Sequence, residues 1–186
     1  MLRPVRRVVT GHDDHGRAVI LSDSVSPHTK EAALQPGRGL TDLWRTFSTP
    51  ADNRGDVDNA DTEVVLTPPT NGSVFRFFQV IPESQGGGSH EEQQRIASAA
   101  FAGMGADHNR DPDARHPNMH QTETTDYIIV LEGEVTMLVD EGEVHLQPMD
   151  VVVQRGTNHA WVNHGSEPAI LAAILIDASS LSAEFG

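Results

Sequence analysis

The stretch from Met119 to Asn163, MHQTETTDYIIVLEGEVTMLVDEGEVHLQPMDVVVQRGTNHAWVN, decides the fold. Short runs rich in valine, isoleucine and leucine alternate with the turn sequences LEGEV and DEGEV, and no helical period interrupts them. Strands this short and this closely spaced predict an antiparallel meander that rolls into a sandwich or barrel, which hides the sheet edges.

Polar side chains fall on one face of two of these strands. Because side chains alternate along a strand, a first set shares a face: His120, Thr122, Thr124 and Asp126. A second same-face set follows the glycine at position 156, which permits a sharp turn: Thr157, His159, Trp161 and Asn163. If both faces look into the barrel, His120, Asp126 and His159 converge there.

The spacing of these residues resembles the two motifs of the cupin superfamily of RmlC-like jelly-roll barrels. The first motif falls on His120, Thr122, Asp126 and Gly133, and the second on Gly156, His159 and Asn163, with Gln154 in place of proline. Pro148, Met149 and Asp150 resemble the family's ProGlyAsp turn. The resemblance spans about residues 115–177. It implies an all-β cupin barrel, here with extra N-terminal strands and one short helix, that pairs as a homodimer.

The resemblance also implies a metal site with altered ligands. Metal-binding cupins use two histidines and a glutamate of the first motif and the histidine of the second, whereas this chain has Thr122 and Asp126 at two of those places. His120, Asp126 and His159 remain as a two-histidine, one-carboxylate set, which suits one divalent transition metal such as Fe, Mn, Ni or Zn. The expected function is then a metal-dependent oxygenase or lyase of small-molecule metabolism.

Two alternatives use the same pocket without a metal. A histidine beside a carboxylate is a general acid or base, so His120 or His159 with Asp126 fits a dehydratase, cyclase, isomerase or decarboxylase. A non-catalytic barrel that binds a small ligand is the other alternative. The expected substrate pocket consists of Thr122, Thr124, Gln154 and Trp161. Tyr127 has the opposite parity to Asp126, so it should face away from this pocket.

Composition narrows the range of partners. The chain has 186 residues, a formal net charge of -14 and no cysteine. Such an acidic surface repels phosphate backbones and anionic lipid, so neither a nucleic acid nor a membrane is an expected partner. No apolar stretch approaches the ~20 residues that span a bilayer. We therefore expect a cytoplasmic protein whose partners are a small-molecule substrate and a second copy of the chain.

The remaining sequence predicts elements that pack on this barrel. We expect an N-terminal region over 1–110 that contains strands, loops and one helix, a cupin core over 111–178 and a tail over 179–186. A capping box of Ser89 and Glu92 opens the helix, which covers residues 90–102. Strands are expected at 5–10, 17–22, 41–47, 63–66 and 73–81, and a loop at 24–39.

Overall fold

A computed structural model describes residues 1–180. These residues form eleven strands, one α-helix and two short 3-10 helices, at Glu83–Gln85 and Asp107–Asn109. The strands are β1 Arg6–His12, β2 Ala18–Val25, β3 Thr29–Glu31, β4 Gly39–Thr46, β5 Ser73–Val80, β6 Thr124–Glu132, β7 Val135–Val139, β8 Glu143–Leu146, β9 Val151–Arg155, β10 His159–Val162 and β11 Ala169–Asp177. The helix α1 is His90–Ala102. The predicted all-β class with one helix is therefore confirmed.

Two antiparallel sheets enclose the main core. The larger has six strands in the order β3-β4-β5-β11-β6-β9, and the smaller has three in the order β10-β7-β8. Apolar side chains from both sheets meet between them, including Val74, Val130, Met137 and Leu171. The N-terminal strands β4 and β5 are thus members of the same sheet as β6 and β11, and β5 pairs with β11 along its whole length.

The helix begins where the capping signal places it. Ser89 is the N-cap residue, and its hydroxyl oxygen accepts a hydrogen bond from the backbone N–H of Glu92 at 3.3 Å. The helix buries Ile96, Ala97 and Phe101. Its C-terminal turn thereby reaches the space between the sheets, where Phe101 contacts the site described below.

The first half of the chain departs from the sequence prediction in two places. Residues 63–66 do not form a strand, because side chains rather than a neighbouring strand take their carbonyl groups. Arg76 donates to the carbonyl oxygens of Val65 and Leu66, at 2.7 and 3.0 Å. The predicted loop over 24–39 contains β3, which pairs with β4 at the edge of the large sheet. Of the predicted C-terminal tail, residues 181–186 lie outside the described range.

Two tight turns of the meander need a left-handed backbone. Gly156 has a φ of 60°, as its place before the second same-face set predicts. Met149 has a φ of 78° in the Pro148–Asp150 turn, the position where the family pattern has glycine. A side chain at such a φ is strained, so the turn keeps its shape in spite of this residue.

Candidate functional site

A cavity of about 130 Å³ lies between the two sheets and the end of the helix. Most of its wall is apolar, with Leu40, Leu66, Val80, Met104, Ile128 and Leu175 among the lining residues. Its polar and charged lining is concentrated in a few side chains: Arg38, Arg76, Gln79, His120, Thr122, Asp126, Gln154 and His159. The cavity therefore suits a small, mainly apolar molecule that presents a few polar atoms.

His120 and His159 are adjacent on neighbouring backbone segments. Each backbone N–H donates to the other residue's carbonyl oxygen, at 3.0 and 2.9 Å. Their ring centroids lie 4.2 Å apart. This reciprocal bridge holds two imidazoles side by side at the cavity wall, as the same-face pattern predicts.

The hydrogen bonds of the two rings define their tautomers. Nδ1 of His120 lies 2.9 Å from the carbonyl oxygen of Asn118, and Nδ1 of His159 lies 3.0 Å from that of Thr157. A carbonyl oxygen can only accept, so Nδ1 carries the hydrogen in both rings. In the neutral form each Nε2 then has a free lone pair that can accept a hydrogen bond or bind a metal.

Burial keeps both histidines neutral. The side chain of His159 is 4% exposed, and this desolvation lowers its pKa to about 4. Burial lowers the pKa of His120 well below its usual value, and repulsion from His159 adds to that effect. At neutral pH the pair is therefore an uncharged acceptor surface.

Asp126 is the acid of the cavity. It is 3% exposed, and its Oδ1 atom has no hydrogen-bond partner. Desolvation raises its pKa to about 6, although the Thr124 hydroxyl and the Arg76 guanidinium act in the opposite direction. A carboxyl group with such a pKa exchanges protons readily near neutral pH, which is the property of a general acid or base.

The predicted pocket residues occupy different layers of the site. Thr122, Gln154 and Trp161 line the cavity. Thr124 is buried beside it, and its hydroxyl lies 2.7 Å from that of Thr122. Gln154 is 2% exposed, and neither polar atom of its amide has a partner. Its amide is therefore available to a ligand, since leaving such a group unpaired costs about 1–3 kcal/mol.

Aromatic rings form one side of the cavity. The rings of Phe78 and Trp161 are tilted by 59° with centroids 5.7 Å apart, and the centroid of the Phe101 ring lies 4.8 Å from that of His120. Trp161 is on β10, as predicted, whereas Phe78 comes from β5 and Phe101 from α1. Flat rings in this arrangement favour a planar or alicyclic substrate.

The three predicted metal ligands do not form one coordination group. Within residues 1–180, no three His, Cys, Asp or Glu side chains lie together in a way that could hold a metal ion. The two histidines supply two suitable nitrogen atoms. Asp126 does not complete the set, so a metal here would need a further ligand such as water or substrate.

Several residues at the site carried no motif signal. Arg38, Arg76 and Phe101 line the cavity, but they precede the motif region in the chain. The alternation of side chains along β5 places Arg76 on the same face as Val74 and Phe78. In the sequence, this alternation is the one feature that could have predicted an inward-facing Arg76. Tyr127 is 44% exposed, which confirms that it faces away from the pocket.

Comparisons with known proteins agree with this architecture. A family model described as a cupin domain matches residues 109–176. Over 170 residues, which is 87% of this chain and 72% of the relative, the chain is 32% identical to phomopsin biosynthesis cluster protein C' of Diaporthe leptostromiformis. A cupin-domain-containing oxidoreductase of Aspergillus ruber is 27% identical over 187 residues, 97% of this chain and 76% of that protein.

A third relative and a solved structure extend the comparison. A cupin-domain-containing oxidoreductase of Hypocrea virens is 28% identical, with 95% of this chain and 77% of that protein covered. The crystal structure of a cupin conserved barrel domain protein from Salinispora arenicola is 18% identical with a TM-score of 0.36, covering 57% of this chain and 64% of that one. Within residues 1–180, no helix has the length and apolar character needed to cross a membrane.

Proposed function

The chain belongs to the cupin superfamily, and on that premise we propose that it is an enzyme of small-molecule metabolism that moves protons on an apolar cyclic substrate. The observation that carries the proposal is Asp126, a buried carboxyl group with an unpartnered oxygen and a pKa of about 6, in one cavity with two neutral histidines. The relatives support the metabolic role, since their names are those of biosynthesis cluster proteins and oxidoreductases.

The protonation states of Asp126 and the two histidines give them different roles in the reaction. Ionised Asp126 takes a proton from a carbon next to a carbonyl group, and the resulting acid returns it to another atom of the same substrate. The free Nε2 atoms of His120 and His159 accept hydrogen bonds from a substrate hydroxyl group. Such a transfer is an isomerisation, or a dehydration when a hydroxide leaves with the returned proton as water, and it consumes no redox equivalent.

Deuterium exchange tests this mechanism directly. The purified protein is incubated in D2O with a chelator and simple cyclic carbonyl compounds, beta-tetralone and cyclohexenone, and proton NMR follows exchange beside the carbonyl. We expect catalysed exchange that falls by about 10²- to 10⁴-fold in Asp126→Asn. Asp14→Asn is the matched control, because Asp14 is exposed in the turn between β1 and β2.

Either of two outcomes contradicts the proposal. Exchange that is equally fast in Asp126→Asn would remove this residue from the mechanism. Binding of both compounds by the wild type without any catalysed exchange would instead favour the non-catalytic, ligand-binding alternative.

A metal-dependent oxygenase or lyase is the second candidate. The tautomers of His120 and His159 favour it, because two Nδ1–H groups held by carbonyl oxygens leave two Nε2 atoms as ligands. When bound, Fe, Mn, Ni or Zn would supply a Lewis-acidic centre there. Elemental analysis of untagged protein reconstituted with each metal decides the question: about one equivalent, lost in His159→Ala, supports a metal, and under about a tenth contradicts it.

A further inference from the structure

Arg38 is a partly buried arginine with no carboxylate partner. It lies on the cavity wall and also on the wall of an adjoining groove of about 50 Å³, which Val80 and Trp161 share. Its side chain makes one hydrogen bond to the protein, from Nη1 to Oε1 of Gln35 at 2.9 Å. A guanidinium has five N–H donors, so most of them remain available at the place where cavity and groove meet.

The other arginines show how unusual this is. In residues 1–180 every arginine except Arg38 and Arg155 forms a salt bridge, among them the buried Arg7, Arg45 and Arg76. Arg155 is exposed to solvent, which satisfies its charge. Among the arginines of residues 1–180, Arg38 alone combines partial burial with the absence of a salt bridge.

The backbone holds Arg38 in position. Its N–H donates to the carbonyl oxygen of Gln35, and its carbonyl oxygen accepts from the N–H of Ala32. The preceding Gly37 carbonyl accepts from the Gln79 amide at 2.6 Å. A cation held where an apolar cavity meets a groove is preorganised for an anion.

The acid that lines the groove beside Arg38 has other partners. Glu83 lines the groove together with Arg38, but its carboxylate oxygens lie 3.6 Å from His116 and 3.3 Å from His164. Burial lowers the pKa of Arg38 to about 10, which leaves it charged at neutral pH and reflects the cost of its missing counter-ion.

We propose that Arg38 binds the carboxylate of the substrate, so that the cavity accepts a small cyclic carboxylic acid whose apolar body lies against Phe78, Phe101 and Trp161. The inference rests on the proposed function only in treating this cavity as the substrate site. A planar carboxylate matches the guanidinium fork in a two-bond contact, whereas a phosphate would need more cationic or backbone donors than this rim offers. The ring then extends toward Asp126 and the histidines.

Matched pairs of ligands test the proposal. Benzoate and cinnamate are compared with benzamide and cinnamamide, which have the same shape without the charge, by isothermal titration calorimetry. We expect the wild type to bind each acid at least about tenfold more tightly than its amide. Arg38→Met should abolish that preference without weakening the amides, and Arg38→Lys should restore part of it. Arg155→Met, which removes an exposed unpaired arginine, should change nothing.

The outcomes separate this inference from the proposed function. Equal affinity for acid and amide in the wild type, no acid binding below about 10 mM, or an acid preference that survives Arg38→Met would each overturn it. Thermal unfolding of every variant checks that it is folded. If Arg38→Met does not fold, the reduced acid preference expected of Arg38→Lys is the test instead. An Arg38-dependent acid preference without catalysed exchange would refute the proton-transfer mechanism and leave the carboxylate site standing.

Discussion

Asp42 and Asp126 are buried in the same six-stranded sheet, on β4 and β6, and their surroundings are opposite. Asp42 is 0% exposed and lies between two guanidinium groups, at 2.7 Å from Arg45 and 2.9 Å from Arg76. Asp126 is 3% exposed and forms no ion pair within residues 1–180. Its Oδ1 atom has no partner, whereas Oδ1 of Asp42 faces the Nε atom of Arg76. The charge of Asp42 is compensated by two arginines and stabilises the fold. The charge of Asp126 has no such partner and lies in a cavity, where it is available for chemistry.

The two regions are connected through Arg76. This guanidinium binds Asp42 on one side and lines the cavity on the other, where its charge helps to lower the pKa of Asp126 against the larger effect of burial. Burial would otherwise raise that pKa further. The structural cluster thus contributes to the protonation state of the candidate site, and substitutions in the two regions should have distinguishable effects.

The largest expected effect is on the structural side of the comparison. Asp42→Asn leaves Arg45 and Arg76 buried without a counter-charge, so we expect it to lower the free energy of unfolding by about 3–5 kcal/mol. Chemical denaturation at neutral pH measures the loss. Asp52→Asn removes the exposed partner of Arg54, and its effect on the free energy of unfolding should be far smaller. Similar losses in both variants would contradict the structural role of Asp42.

How much of this the sequence predicts depends on the range of the interactions. The helix at residues 90–102 and the facing histidines follow from local signals, a capping residue and the alternation of side chains. The motif resemblance singles out Asp126 but not Asp42, and no local signal tells whether the charge of either acid is paired. Only the pairing of β4 with β5 brings Arg76 to Asp42. Long-range pairing of this kind also places Arg38 at the cavity, and no local pattern encodes it.

The next prediction concerns the histidines, whose burial has the opposite consequence for pH. The pKa values of His120 and His159 are lowered in the folded protein, so the unfolded chain binds protons first as the pH falls below about 6.5. Stability is therefore complete above that pH and is lost toward about pH 4. The lowered pKa of His159 alone should reduce the free energy of unfolding at about pH 5 by about 2 kcal/mol relative to neutral pH.

Unfolding curves across this pH range check the histidine prediction. His159→Asn retains a donor near the position of Nδ1 but cannot become protonated, so its stability should depend less steeply on pH. His15→Asn, an exposed histidine in the turn between β1 and β2, is the control. A wild-type protein whose stability does not fall between about pH 6.5 and 4 would be incompatible with buried neutral histidines.

Replacing Asp126 with asparagine should have a smaller effect on stability than replacing Asp42, and one of opposite sign. Because its pKa is raised to about 6 from a usual 3.8, Asp126 contributes stability below the lower value and loses it as the pH rises through the higher one. Asp126→Asn removes this penalty, so we expect a gain of up to about 3 kcal/mol at about pH 8 and none at about pH 3. Destabilisation at both pH values would show that Asp126 is a structural acid like Asp42.

The smallest effect isolates the hydroxyl group of Thr124, which helps to lower the pKa of Asp126. Thr124→Val keeps the shape of the side chain but removes this hydroxyl, so the pKa of Asp126 should rise above about 6 by a few tenths of a unit. Carbon NMR of the labelled Asp126 carboxyl group measures it. Thr124→Ser, which retains the hydroxyl, should leave the pKa near the wild-type value. If the pKa of Asp126 is also unchanged in Thr124→Val, Arg76 alone opposes the effect of burial on that pKa. The charge that Arg76 shares with Asp42 then affects Asp126 more than its neighbouring hydroxyl does.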